Sequence, residues 1–287
     1  MQDNGLLKYY FEHRDKHGFL KTSEIKADQY SGEGDEMFCS YLKVPETKRF
    51  YIKPCTKEIL DAEILLSQVY SRAGVETAIY TPGIDKFGKE VALSNDIESP
   101  STLPAFSLFS KIRNQNTKLS HPDYIPKELD RSGIIERYFT TKGFKSGILM
   151  TALDVGSGNR DRNVTNYFFG QTGEGLCDDI WSIDYGNSGI TFGELKKSPY
   201  MTLDELQFYS RFEGEPGLYR SEMIEHLREN PNVNAVFEQN ELAEMVGNIN
   251  VGAVAKDIKE TIGYTADPMY VYYLDKSFDM LAEDLSK

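Results

Sequence analysis

The feature that most restricts the fold is a change of hydrophobic period about a third of the way along the chain. Up to about Ile97 the apolar residues come in short strand-like runs, with one exception; beyond it they recur mainly at helical spacing. Met37-Phe-Cys-Ser-Tyr-Leu-Lys-Val44 and Lys48-Arg-Phe-Tyr-Ile-Lys53 are rich in aromatic and β-branched residues. With Pro45-Glu-Thr-Lys48 between them they read as a hairpin. Two more strands are expected at Val75–Tyr80 and Lys89–Leu93, with Pro82-Gly83 as their turn. The exception is a helix. Thr56 is a suitable N-cap, Glu58 stands in the first turn, and Ile59, Ala62, Leu66, Val69 and Ala73 then follow at spacings of 3, 4, 3 and 4 before Gly74.

The stretch Glu98-Ser-Pro-Ser-Thr-Leu-Pro104 reads as a connector. Helices are expected after it at Leu103–Arg113, Pro126–Phe139, Lys142–Leu153, Leu203–Phe212, Tyr219–Arg228, Asn240–Gly247 and Ala253–Gly263. One β-rich island interrupts them: Tyr167-Phe-Phe169 and Ile180-Trp-Ser-Ile183 flank the turn Gly170-Gln-Thr-Gly-Glu-Gly175. Strands followed by helices predict an α+β fold, divided into a β-rich part with one helix, residues 1–97, and a mostly helical part, residues 98–287. At 287 residues the chain suits two domains or one bilobal domain.

Thirty-two basic residues against forty-five acidic ones give a net charge of −13. That argues against nucleic acid or an anionic membrane as partner, although a local basic cleft could still hold a phosphate. Cys39, Cys55 and Cys177, with His13, His17, His121 and His226, are too scattered for a zinc site, and the odd cysteine count suggests a reducing compartment. The start, Met1-Gln-Asp-Asn-Gly, has no basic stretch leading into an apolar one. No apolar run approaches the ~20 residues of a membrane span. A soluble, cytoplasmic protein is expected.

The densest polar cluster runs from Asp154 to Asn166. Within it, Asp161 and Asn166 have the D-x-x-x-x-N spacing of a phosphotransferase loop, in which Asp accepts a hydroxyl proton and Asn binds Mg²⁺. Chance alone supplies about one such pair in this composition, and Asp154/Asn159 is another. A solvated, Asx-rich turn would look the same. Context favours Asp161/Asn166, because an apolar strand starts at Tyr167. Asp184 closes the next strand ahead of Tyr185-Gly186, the place of a carboxylate that chelates Mg²⁺ on nucleotide phosphates; a plain turn-starting Asp is the alternative. Lys53 ends its strand, and Glu63 lies at the edge of the helical stripe, where a carboxylate needs a partner. Lys53 is the nearest candidate, with Glu58 competing for it. Ser31-Gly-Glu-Gly34 could cover phosphates or be a plain entry loop; it lacks the P-loop pattern.

Taken in order, these parts resemble a known family. Asn159-Arg-Asp-Arg-Asn-Val-Thr-Asn166 followed by Ile183-Asp-Tyr-Gly186 is similar to the N-x-D-R-x-x-x-N and I-D-x-G motifs of atypical kinases, the phosphatidylinositol-kinase-like and HipA-like kinases among them. Leu60-Asp-Ala-Glu-Ile with Ala73-Gly-Val-Glu-Thr is similar to the HipA-like helix and its turn into a strand. The resemblance covers about residues 30–190. It implies a bilobal kinase fold, with 1–97 as N-lobe and 98–287 as C-lobe, and an ATP- and Mg²⁺-dependent transfer to an alcohol, foremost a protein Ser/Thr hydroxyl. A lipid or small-molecule acceptor and an inactive nucleotide-binding module are the alternatives. It further implies Asp161 as the catalytic base, Lys53 as the phosphate clamp, Asn166 and Asp184 as Mg²⁺ ligands, an Arg162 that is structural or pairs with a loop carboxylate, and nucleotide contacts from Lys53, Glu63, Ser31, Gly32 and Gly34.

Overall fold

The computed structural model describes residues 20–21, 27–30, 39–43, 49–85, 87–95, 102–105, 137–162, 166–198, 200–203 and 220–287. It is a mixed α+β fold with two small sheets. The larger sheet holds β1 (Leu20–Lys21), β2 (Ala27–Tyr30), β3 (Cys39–Lys43), β4 (Arg49–Pro54), β6 (Tyr80–Ile84) and β7 (Glu90–Asn95), in the order β1-β6-β7-β4-β3-β2. The smaller sheet holds β5 (Glu76–Thr77), β8 (Thr102–Pro104), β9 (Tyr167–Gln171) and β10 (Cys177–Ser182), in the order β5-β10-β9-β8.

The expected first hairpin is present as β3 and β4, paired antiparallel with Tyr41 opposite Tyr51. The second hairpin is present as β9 and β10, with Phe169 opposite Ile180. Three expectations fail. The run Val75–Tyr80 is not one strand: Glu76–Thr77 pairs with β10 in the small sheet, and Tyr80 opens a strand of the large one. Nor is Pro82-Gly83 a turn, because it lies within β6, opposite Ala92 and Val91. Pro82 is tolerated there because β1 joins β6 only at Gly83 and Ile84, so among the described residues Pro82 keeps an open edge. At Gly83 a Cβ would stand 2.7 Å from Leu93 Cδ1, so any larger residue there would have to displace the Leu93 side chain. The turn itself lies between Asp85 and Lys89. Part of the expected connector, Thr102–Pro104, is likewise a strand, paired with β9.

The first helix, α1 (Lys57–Ala73), is the piece most exposed to error in a sequence reading and the one read best. Gly74 ends it in the left-handed conformation at φ 97°. Every residue from Leu60 to Ser67 is buried, so α1 is a core helix rather than an amphipathic surface one. It packs on β6 and β7 on one side and on α3 (Gly186–Lys197) on the other. The contact with α3 is backbone to backbone at Gly189, where a Cβ would stand 2.2 Å from the Glu58 carbonyl oxygen.

Between the two helices in sequence comes α2 (Thr141–Ser157), capped by the Thr140 hydroxyl accepting from Gly143 N at 3.1 Å. It packs against β10 and against the last helix. The C-terminal part comprises α4 (Arg220–Glu229), α5 (Pro231–Val236), α6 (Glu241–Gly247), α7 (Val251–Ile262) and α8 (Pro268–Leu285). The helices expected at 142–153, 219–228, 240–247 and 253–263 correspond to α2, α4, α6 and α7. The helix expected at 103–113 does not start at Leu103, since Leu103 and Pro104 belong to β8, and its later part, most of the helices expected at 126–139 and 203–212, and the Ser31–Gly34 loop lie outside the described residues. Among the described residues no helix is long and apolar enough to cross a membrane.

Candidate functional site

Four elements bring the polar residues together. Lys53 comes from β4 and points its ammonium at two carboxylates, Glu63 Oε1 of α1 at 2.5 Å and Asp184 Oδ1 beyond β10 at 2.5 Å. The partners lie 10 and 131 residues away in sequence. Glu63, not Glu58, is therefore the partner of Lys53 in the structure. The second oxygen of Glu63 accepts from the Tyr185 amide at 3.0 Å, which ties α1 to the Asp-Tyr-Gly turn. Glu63 has no measurable exposure and Lys53 is 8% exposed, while the Asp184 side chain is 23% exposed, so the chain of three charges runs from a dry interior to a half-buried end.

Burial in this group favours the neutral forms, and the neighbouring charges decide the outcome. Burial pushes the Glu63 carboxyl up; Lys53 opposes this, Asp184 adds to it, and the net direction is upward. Asp184 feels the same burial, but the ammonium of Lys53 outweighs it and holds the carboxyl below its usual range. Lys53 is lowered by burial but raised more by Asp184 and Glu63, and its ammonium is held charged. Asp184 adopts the left-handed conformation at φ 60°, unusual for a residue with a side chain and most tolerable for Asp or Asn. Its amide donates to the Tyr80 hydroxyl at 3.4 Å.

The loop carrying Asp161 is held from beneath by Arg162, which is 3% exposed. Its guanidinium donates to both oxygens of Asp154, at 2.9 Å each, and to the carbonyls of Asn166 at 2.6 Å and Ile183 at 2.5 Å. One cation thus fixes the end of α2, the end of the loop and the residue before Asp184. Asn166 stands one residue from β9, its amide nitrogen donating to the Asp161 carbonyl at 2.6 Å. The Ile183 amide donates to the Asn166 carbonyl at 3.1 Å, so Asn166 lies beside the Asp184 turn. Residues 163–165 lie outside the described residues.

Asp154 and Asn159 match the spacing of Asp161 and Asn166 but have a different place. Asp154 is 1% exposed and accepts from Tyr70 Oη at 2.7 Å and Asn159 Nδ2 at 3.0 Å, besides Arg162. It is an internal anchor, not an idle copy of the motif. Sequence reasoning missed Tyr80, Tyr185 and Tyr70, whose rings meet edge to face around the turn, Tyr70 and Tyr185 at 4.8 Å between centroids. The Tyr185 hydroxyl donates to the Ser182 carbonyl at 3.0 Å and meets Thr77 Oγ1. An abundance of tyrosine was visible, but nothing in one sequence tells a core tyrosine from one beside a site.

No protein-family model and no curated protein matches this chain in sequence. The fold, however, is similar to that of a solved structure, a Helicobacter pylori proinflammatory kinase, CtkA. The two share 12% sequence identity at a TM-score of 0.52, over 93% of this chain and 97% of that one. At that identity the likeness is one of fold, and the fold is kinase-like.

Proposed function

We propose that this chain is an ATP- and Mg²⁺-dependent phosphotransferase of the HipA-like type, acting on a Ser or Thr hydroxyl of a protein. Its two lobes would be residues 1–97 and 98–287, and it would work in the cytoplasm. The observation that carries the reading is the convergence of Lys53, Glu63 and Asp184. A strand lysine, a core-helix glutamate and a turn aspartate, far apart in sequence, meet in one mostly buried cluster, with Asn166 beside the Asp184 turn and bonded in turn to the Asp161 carbonyl. The kinase-like fold supports reading that cluster as the seat of nucleotide phosphates.

The donor set suits Mg²⁺. Among the described residues no three His, Cys, Asp or Glu side chains form a metal cluster, so a cage made by protein alone is not built. A carboxylate from Asp184 and an amide oxygen from Asn166 are the hard, sparse ligands that Mg²⁺ uses together with phosphate oxygens. The charge balance points the same way: with both carboxylates ionised, two negative groups face one ammonium, and a divalent cation offsets the excess. The bound metal would neutralise charge on the transferred phosphoryl group. Lys53 would then hold phosphate oxygens, Glu63 would orient Lys53, and Asp161 would receive the proton of the acceptor hydroxyl.

Mg·ATP is expected to raise the melting temperature, since a ligand bound only by the native state stabilises it by about 2.7 kcal/mol at 100 Kd. Asp184→Asn should remove the Mg²⁺-dependent part of the shift. Asp161→Ala should keep most of it while transfer of the labelled γ-phosphate falls roughly 10²- to 10⁴-fold. A melting curve indifferent to millimolar Mg·ATP would sink the proposal.

A further inference from the structure

Two residues before the end of that charge chain, α1 carries a second buried carboxylate that the site does not use. Asp61 is 1% exposed. Its Oδ1 accepts from the Tyr264 hydroxyl at 2.6 Å and from Lys57 Nζ at 2.8 Å, and its Oδ2 accepts from the Asp267 amide at 3.2 Å. Lys57 also donates to the Tyr264 hydroxyl at 2.5 Å and lies 4.2 Å from the centre of its ring. Tyr264 and Asp267 sit in the short link between α7 and α8, about two hundred residues along the chain.

A buried carboxylate is a costly way to fix a helix, and an apolar residue in its place would commonly be neutral or stabilising. What a carboxylate adds is direction and register. Asp61 takes two bonds from the link residues and one from its own helix, and Asp267 is also the N-cap of α8, where the helix dipole favours a negative neighbour. Glu63, two residues on, is turned about 200° around α1 toward Lys53 and the Tyr185 amide. Helix α1 is thus pinned by polar contacts on two opposed sides, one side being the proposed phosphate clamp and the other the α7–α8 link. Sliding or rotating α1 would break both sets.

We propose that Asp61 and Tyr264 are positioning residues that hold α1 in the register at which Glu63 aligns Lys53, so that the C-terminal helices are part of the transfer machinery and not an appended module. The inference rests on the phosphotransferase reading for its kinetic consequence, but not for its structural one. The test uses the full chain with Tyr264→Phe, which keeps the ring over Lys57 and removes only the hydroxyl, alongside Asp61→Asn. Arg72→Ala is the control, because Arg72 makes an exposed pair with Asp257 of α7 at 2.8 Å and lies away from the pin.

Two readouts are followed. Hydrogen exchange at the Tyr185 amide, bonded to Glu63, should quicken in Tyr264→Phe with or without nucleotide and stay as in the wild type in Arg72→Ala. KM for Mg·ATP should rise roughly threefold to tenfold in Tyr264→Phe, with a smaller fall in kcat. Unchanged exchange at Tyr185, or an active Tyr264→Phe with the wild-type KM, would overturn the proposal. The same effects from Arg72→Ala would overturn it too, by showing general loosening of α1. A wild-type chain without Mg·ATP-dependent transfer would instead remove the phosphotransferase reading, and exchange at Tyr185 alone would then decide the pin. Should Asp61→Asn not fold, Tyr264→Phe carries the test.

Discussion

At the scale of single residues, the most consequential side chain after the Lys53 group is Arg162. Its guanidinium makes four hydrogen bonds, two to one carboxylate and one to each of two carbonyls, in a dry setting, and a rigid fork is the side chain suited to that. Removing its counter-charge leaves an uncompensated buried cation. Asp154→Ala is therefore predicted to lose about 3–5 kcal/mol, the usual cost of breaking a buried pair, and to lose transfer through disorder of the loop. Denaturant unfolding measures it, and a loss below about 1 kcal/mol would show that water reaches Arg162. This differs from what spacing alone suggests, which would treat Asp154 as a bystander. Asp184 supports a prediction in pH. Its native carboxyl is held below the usual range, so its contribution to stability is complete above the ordinary aspartate value of about 3.9 and is lost as pH falls through the lower native value. The melting temperature of the wild type relative to Asp184→Asn should fall below about pH 4, where the Asp184 carboxyl takes up its proton. A difference that grows on acidification would reverse the sign assigned to the Lys53 pairing.

Among the elements, α1 determines where the site can be, and its packing on α3 leaves no slack. At Gly189 a Cβ would meet the backbone of Glu58, which cannot rotate away as a side chain could. Gly189→Ala should push the helices apart, cost about 1–3 kcal/mol as overpacking does, and weaken the Mg·ATP-induced shift in melting temperature because Glu63 moves with α1. A variant with normal stability and a normal shift would mean that the two helices move freely against each other. Much of this was legible beforehand. The stripe from Ile59 to Ala73 gave α1 almost to the residue, and runs of aromatic and β-branched residues beside turn residues gave β3, β4, β9 and β10, because those signals are local. What failed had non-local causes. Pro82-Gly83 looks like a turn, and its pairing with β7, with the edge that β1 leaves open at Pro82, makes it a strand. Helix α3 begins Gly186-Asn-Ser-Gly189, poor helix formers by propensity, and it is helical because its small residues fit against α1. Helix α8 was overlooked although Asp267-Pro268 is a good start signal and Tyr270, Leu274, Phe278 and Leu281 form its buried stripe. For the site, residue types and order were readable, but the choice of Glu63 over Glu58 and the anchoring role of Asp154 needed coordinates, since spacing carries no direction.

The whole molecule bears on the acceptor through its charge. A net −13 spread over 287 residues sets up a field that attracts cationic surfaces and repels anionic ones. A lipid kinase has to approach an anionic bilayer, where each well-placed Lys or Arg contributes about 1 kcal/mol. Small groupings such as Lys196-Lys197 do not offset that repulsion, and Lys196 is already engaged with Asp267. A protein acceptor with basic residues near its Ser or Thr meets no barrier and is drawn in by the same field. Steering of this kind weakens with ionic strength, because the screening length falls from about 10 Å at 0.1 M salt to about 3 Å at 1 M. The prediction is that γ-phosphate is transferred to basic Ser/Thr peptides and not to phosphoinositide vesicles, and that kcat/KM for the peptide declines steadily as salt is raised while kcat changes little. Both arms can be run side by side with the same chain and the same labelled ATP. Transfer to the vesicles alone would overturn the choice of acceptor and leave the phosphotransferase chemistry standing. Peptide transfer indifferent to salt would keep the acceptor and discard steering, placing recognition in short-range contacts close to Asp161.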